Sequence, residues 1–491
     1  MATRDDDLSP EGDIGSTLVG MSPVVLDEGA EATEPATPAA ERQDPPEPPA
    51  GRAQAPRTQS GLAPVRKPRA PGAPAFLPEQ PRNVAATGLS HSYLEDLVLK
   101  HLFQAGDLQG QELVQRLCLP SSIVDEIMGR LKRLKFVDIK GGGTGLGQSR
   151  MVYGLTQAGH ADCELSMERD RYVGPAPVPF AYYQQAVAAQ SIRNNRLRRE
   201  DLSPHFTDLV LRDEVFAAIG PAMNSGKALF FYGPPGNGKT AICQRMTDCF
   251  GGDVFLPHAI IVDDFVIKLF DETLHKPVPV EAGQPPLDGR WVRCRRPMVI
   301  VGGELTMGDL NLRYSPEVRY YEAPIQLKAN NGMLLIDDFG RQTMSPKELL
   351  NRWIVPLESE FDFLAMHTGK KLQVPFDVFV VFSTNLDPRE LVDAAFLRRV
   401  RYKLEVSRPD EGVFTAIFEA ECKRKGIPYE QGAVKYLVKQ HYQARSLPFN
   451  ACEPRDLLAQ VVDLCAYRGH PPLLSPEILD RVCANYFVRF E

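Results

Sequence analysis

One run, Leu229-Phe-Phe-Tyr-Gly-Pro-Pro-Gly-Asn-Gly-Lys-Thr-Ala-Ile242, narrows the possible folds of this chain more than any other. Its apolar start predicts a buried strand. The Gly/Pro segment that follows is a turn, and a helix begins after it. Gly233, Gly238, Lys239 and Thr240 fill the pattern G-x-x-x-x-G-K-[ST]. In that spacing the glycines let backbone N–H groups turn inward around an anion. The lysine ammonium reaches the same anion, and the threonine hydroxyl can serve a divalent cation. Gly233, Pro234, Pro235, Gly236, Asn237, Gly238, Lys239, Thr240 and Ala241 are therefore the candidate phosphate-binding residues. The positive end of the following helix faces the same point.

Such a loop hydrolyses nothing alone. It needs a carboxylate near the cation, a group that orients water and a sensor for the terminal phosphate. Two apolar runs end in Asp-Asp. Ile260-Ile-Val-Asp263-Asp264 follows the loop's helix too closely, where an adjoining strand is expected. Met333-Leu-Leu-Ile-Asp337-Asp338 precedes a helix from Ser345 to about Leu357, and then Phe379-Val-Val-Phe-Ser-Thr-Asn385, a strand with a polar end. The second run is the candidate. Asp337 serves Mg²⁺ with Thr240, Asp338 orients water, and Asn385 helps hold that water.

A chain of 491 residues implies several domains. With 43% hydrophobic and 24% charged residues it has a globular composition, but many of its 42 prolines crowd toward the N-terminus. A net charge of −7 argues against a whole-surface polyanion binder and leaves room for a local basic patch. Nine cysteines without a C-x-x-C pair read as buried apolar residues in a reducing compartment. No signal-like segment opens the chain, and no uncharged apolar run reaches the roughly 20 residues of a membrane span. A cytoplasmic protein is expected.

Residues 1–88 are too poor in apolar side chains to offset ordering entropy and read as a disordered tail. Residues 89–165 show three helical patterns, then Phe136-Val-Asp-Ile-Lys140, a glycine-rich tip at 141–147 and a returning strand. That order resembles a winged helix-turn-helix. Two readings stand: DNA binding with the third helix in the major groove, or docking of a protein. Arg130, Lys132, Arg133 and Lys135 end that helix, but Asp125 and Glu126 lie in its N-terminal half. Residues 166–200 read as a proline-stiffened connector with a solvated basic run at Arg193, Arg196, Arg198 and Arg199. Residues 201–408 hold the loop and both acidic runs, with an insertion at about 271–328. Within it, Arg290-Trp-Val-Arg-Cys-Arg-Arg296 interleaves aromatic and basic character. That suits contact with nucleic acid or an acidic protein, or an exposed hairpin with solvated arginines. Residues 409–491 carry four amphipathic helical segments separated by Pro and Gly.

Gly233–Thr240, Asp337-Asp338 and Asn385, in that order, resemble the AAA+ ATPase family over about residues 201–491. The resemblance implies an α/β P-loop NTPase core with a C-terminal α-helical lid, here preceded by the winged-helix-like unit. It implies ATP and Mg²⁺ as ligands, ATP hydrolysis, and a homo-oligomeric ring, typically a hexamer, acting on a protein client. It places an arginine finger for the neighbouring subunit at Ala394-Ala-Phe-Leu-Arg398-Arg399-Val-Arg401, with Arg399 first and Arg398 and Arg401 behind it. It places a second sensor at Arg455. Asp338 stands where most of the family has glutamate; replication initiators and helicase loaders of the family share Asp-Asp. Ala329 to Asp337, and an expected hairpin from Phe363 to Val378, resemble MoxR-type ATPases, magnesium chelatases and enhancer-binding activators. Three readings follow: a ring that remodels a protein, a DNA-binding regulator or helicase-loader-like switch, or a nucleotide-binding scaffold with negligible turnover.

Overall fold

The computed structural model describes residues 76–142, 151–194, 196–279, 286–391 and 394–487. At its centre five strands pair in parallel. β1 (Leu229–Tyr232), β2 (Met298–Val301), β3 (Gly332–Ile336), β4 (Val378–Thr384) and β5 (Tyr402–Glu405) lie in the order β2-β3-β4-β1-β5. Every residue of β3 and β4 is buried, and both read as apolar runs up to the polar Ser383-Thr384 end of β4. Successive side chains face opposite layers. Leu229, Phe231, Leu335, Phe379 and Val381 pack with Ile242, Cys243 and Met246 of helix α1 (Lys239–Cys249). Phe230, Leu334, Ile336, Val380 and Phe382 pack with Leu349, Leu350 and Trp353 of helix α2 (Pro346–Ser359). Ser345 caps α2 in a reciprocal box with Glu348. The fold is mixed α/β, with a parallel sheet covered on both faces.

The expected insertion at 271–328 has different limits. Met298–Val301, inside that range, is β2 of the central sheet. A Cβ on Gly332 would lie 2.1 Å from the Pro297 carbonyl oxygen, so glycine lets the chain before β2 run against the start of β3. Ala259–Val262, the strand expected beside the core, belongs instead to a second sheet. Its order is Arg313–Ser315, Tyr320–Glu322, Phe265–Lys268, Ala259–Val262, Val178–Pro179. Asp263 and Asp264 form the turn of its hairpin at φ 47° and 66°. The hairpin of Phe361–Ala365 and Lys371–Pro375 packs Leu364, Leu372 and Val374 against Ile260, Ile267 and Tyr321 of this sheet. His367 at its tip stacks on Tyr314 with ring centroids 4.1 Å apart.

The arginine-rich run is neither a binding face nor a solvated hairpin. It pairs with Asp253–Pro257 as an antiparallel ribbon, and its long side chains turn inward. Arg290 is 2% exposed, forks onto buried Asp288, and donates to the Thr87 carbonyl at 2.9 Å and the Pro177 carbonyl at 3.3 Å. Arg293 pairs with Asp253. Arg296 donates to the carbonyls of Gly251, Gln190 and Asn331, and burial pushes its guanidinium down to about 10. Arg295 alone of the four is exposed.

The described residues of 166–200, expected as a proline-stiffened connector, pack into the body of the protein. Helix Gln157–Arg169 lies on helix His91–Ala105, and Tyr172 and Ala176 join the core of the N-terminal unit. Val178–Pro179 pairs with the second sheet. Arg193 bonds Asp377 at 2.7 Å. The N-terminal unit itself has helices His91–Ala105, Gly110–Leu117 and Ser121–Arg133. Its strands Leu108–Gln109, Val137–Gly142 and Met151–Leu155 form one sheet with the last in the middle. Gly141 and Gly142 lie in a strand, and the rest of the expected tip falls among residues 143–150, outside the described residues. Of the expected tail, 1–75 also lies outside them, but Phe76 packs on Trp291 with centroids 5.3 Å apart and Val84–Thr87 is helical. At the other end, helices Glu411–Lys425, Gln431–Leu437, Glu453–Tyr467 and Pro476–Tyr486 enclose a separate core of Phe414, Phe418, Leu457, Val461 and Ile478. All nine cysteines are free thiols, seven of them buried. Among the described residues no helix is long and apolar enough to cross a membrane.

Removing Arg290 strands the Asp288 carboxylate in the interior. Arg290→Ala is expected to cost about 3–5 kcal/mol of unfolding free energy, measured by urea denaturation. A loss under about 1 kcal/mol, the range of an exposed pair, would show the fork to be idle.

Candidate functional site

Parallel pairing brings the C-terminal ends of β1, β4 and β3 to one edge, with Tyr232 opposite Thr384 and Phe382 opposite Ile336. The residues that follow each strand therefore converge. After β1 the chain turns through Gly233, Gly236 and Gly238 at φ 130°, 75° and 83°, values that side-chain-bearing residues rarely adopt. Pro235, Gly236 and Gly238 are exposed, Pro234 is half-buried, and Ala241 follows Thr240 in the first turn of α1.

Lys239 is 7% exposed. Its Nζ donates to the carbonyls of Gly233 at 2.8 Å and Pro234 at 3.0 Å, and to Oδ1 of Asn385 at 2.7 Å. Asn385 Nδ2 donates in turn to Asp338 Oδ1 at 3.2 Å. Thr240 Oγ1 donates to Asp337 Oδ2 at 2.7 Å, and the Asp338 amide to Asp337 Oδ1 at 3.1 Å. One hydrogen-bonded group thus joins Lys239, Thr240, Asp337, Asp338 and Asn385. Burial lowers the Lys239 pKa, and the nearby Asp337 and Asp338 carboxylates oppose that shift.

The acidic turn has a support that no motif announced. Asp338 sits at φ 48°, in the left-handed region. Gln342 Oε1 accepts from the Gly340 amide at 2.8 Å, while its Nε2 donates to the carbonyls of Asp337 at 3.0 Å and Asp338 at 3.1 Å. One side chain therefore clasps the turn that carries both carboxylates.

The arginines expected by resemblance sit elsewhere. Arg399 ends helix Ala394–Arg399, and its Nε donates to Glu358 at 2.6 Å. With Lys227, Leu357, Glu358, Arg398 and Arg401 it lines a cleft of about 500 Å³ that none of the five joined residues enters. Arg455 lies in the first turn of helix Glu453–Tyr467, where its exposed guanidinium pairs with Asp456 at 2.8 Å. The chain just before that helix does reach the loop: the Cys452 amide donates to the Gly236 carbonyl at 2.8 Å.

The donor set suits a polyphosphate with a divalent cation. It offers turned backbone, one ammonium, one hydroxyl and two carboxylates. Among the described residues no group of three or more His, Cys, Asp or Glu could hold a metal. A hydroxyl and one carboxylate fit Mg²⁺, which keeps water and substrate phosphates in its shell.

Residues 410–485 match a family described as a domain of unknown function, DUF8689. No curated protein sequence matches the chain. The solved structure of NtrX from Brucella abortus aligns at a TM-score of 0.34 and 13% identity, over 68% of this chain and 62% of that one. The RuvB Holliday junction branch migration motor of Thermotoga maritima aligns at 0.34 and 14% identity, over 57% and 72%. This chain therefore spans under two thirds of NtrX. Likeness of this degree carries neither protein's activity across.

Gln342→Ala removes three hydrogen bonds from the acidic turn. It is expected to lower unfolding free energy by about 1–3 kcal/mol, read as a shifted urea midpoint at unchanged slope. An unmoved midpoint would show that the turn holds itself.

Proposed function

We propose that this chain binds ATP with Mg²⁺ and hydrolyses it, assembling as an AAA+-type ring, a hexamer in the simplest case, that couples turnover to remodelling a protein partner. The carrying observation is the single hydrogen-bonded group of Lys239, Thr240, Asp337, Asp338 and Asn385 at three adjacent strand ends. The glycine loop holds the phosphates on its amides, with Lys239 compensating their charge. Thr240 and Asp337 hold Mg²⁺, which when bound neutralises charge on the β- and γ-phosphates. Asp338 orients the attacking water. Asn385, bonded to both Lys239 and Asp338, keeps the cation and the water-orienting carboxylate in register. Arg399 serves the neighbouring subunit's site, and the cationic cleft it shares with Lys227, Arg398 and Arg401 supports a role for that face toward an anion. Arg455 is the proposed second sensor of the helical lid. Before it could meet a phosphate its guanidinium would have to leave Asp456.

The reading of residues 89–165 as a DNA-binding winged helix has less support. Arg130, in the basic cluster of the third helix, is paired with Glu95, and the exposed Lys132, Arg133 and Lys135 are followed in the chain by exposed Asp138. A protein-docking unit is the better reading.

Lys239→Ala is expected to abolish ATP binding in calorimetry. Asp338→Asn keeps the acceptor for Asn385, so binding should persist while turnover falls at least about 100-fold, in line with loss of a catalytic base or positioning group. ATPase retained in both variants overturns the site. If the ring reading holds, the rate per chain rises with protein concentration, and Arg399→Ala lowers it by about 10³ or more, as loss of a finger does in GTPases. A rate independent of concentration would leave an ATPase without a shared site.

A further inference from the structure

The C-terminal helical unit touches the phosphate loop through main-chain groups, and its own interior is arranged to aim them. Glu453 is 5% exposed. Its carboxylate accepts from the Asn450 amide at 2.9 Å, from Asn450 Nδ2 at 2.7 Å and from the Tyr442 hydroxyl at 2.9 Å. Tyr442 reaches it from a π turn, Val438–Tyr442, that continues helix Gln431–Leu437. Wide turns of this kind recur at functional sites. With residues 450 and 453 tied together, the two amides between them project at the loop. Ala451 donates to Asn237 Oδ1 at 3.0 Å, and Cys452 to the Gly236 carbonyl at 2.8 Å.

The loop side is equally committed. Asn237 is buried, and its Nδ2 donates to the Pro234 carbonyl at 3.2 Å, so one amide side chain ties the loop to itself and to the helical unit. In a planar trans peptide the carbonyl and the next N–H point in opposite directions. Holding the Gly236 carbonyl toward Cys452 therefore turns the Asn237 N–H away from the helical unit. Contact is close: a Cβ on Gly236 would sit 2.6 Å from Cys452 Sγ.

We propose that segment Asn450–Glu453 is a positioning element of the phosphate loop, with Asn237 as the side chain that couples nucleotide binding to the seating of the helical unit matched by the domain of unknown function. This rests on the ATP reading of the loop. Coupling is reciprocal. Whatever orders the loop slows opening of 450–453, and releasing 450–453 weakens binding at the loop.

The test uses the full chain with Mg²⁺ and ADP. Calorimetry reads affinity, and hydrogen–deuterium exchange reads the amides of 448–458 with and without ADP. In the parent protein ADP should slow exchange in that segment. Asn237→Ala should weaken ADP about tenfold and abolish the ADP-dependent protection, beside the drop in thermal midpoint that losing the bonds of a buried amide brings by itself. Glu453→Gln, which keeps an acceptor for Tyr442 and Asn450, should give a smaller loss of both. An ordinary structural role for Asn237 would lower the midpoint alone and leave the ADP-dependent protection in place. Parent-like affinity and protection in Asn237→Ala overturn the proposal while the ATP reading stands. Failure of the parent protein to bind ADP or ATP overturns both.

Discussion

β4 pairs with β1 on one side and β3 on the other, and the rest of the molecule is arranged around that pairing. It sets the polar end of β4 between the glycine loop and the acidic turn. The residue there must face a buried ammonium and a carboxylate at once. Asparagine meets both demands, because its amide accepts from Lys239 through one atom and donates to Asp338 through the other. An aspartate at 385 would repel Asp338, and a lysine would repel Lys239. The same pairing leaves β3 and β4 buried on both faces, which requires α1 and α2 as covers and keeps the strand ends rigid.

Outside the central sheet, buried arginines act as struts. Arg290 gathers the Thr87 and Pro177 carbonyls and Asp288 at one point, and Arg296 joins Gln190, Gly251 and Asn331. Each guanidinium donates to two or three main-chain oxygens at once, a task suited to a planar group with five N–H bonds. These struts, with the shared core of the N-terminal unit and the second sheet at Ala259 and Val266, make the N-terminal unit part of the body rather than a tethered module. Anything held by that unit would be held at a fixed place beside the central sheet.

Much of this was legible in local pattern. The strand–loop–helix around Lys239, the apolar runs before Asp337 and Asn385, and the four C-terminal helices all depend on residues a few positions apart. Other features had no local signature. The run Arg290–Arg296 reads as surface by composition, yet all of its arginines but Arg295 turn inward, because Asp288, Asp253 and five carbonyl oxygens wait for them. Ile260–Val262 and Val299–Val301 are equally apolar, yet the first lies inside the second sheet and the second at the edge of the central one. Gln342 has no pattern at all. Its value comes from the geometry of a turn whose Asp338 adopts a left-handed conformation.

Glycine positions, apolar periodicity and the spacing of the loop were enough to specify the element types and the chemistry on offer: an anion cradle, a cation and two carboxylates. These are short-range properties, set by backbone sterics and side-chain alternation. Assembly of the offer into a site was left to long-range packing. Lys239 and Asn385 stand 146 positions apart in the chain, Thr240 and Asp337 97, and Asn237 and Ala451 214. Each of those hydrogen bonds exists because buried polar groups must find partners once the core has closed, and which partner lies within reach is a matter of strand order and helix docking rather than of neighbouring residues.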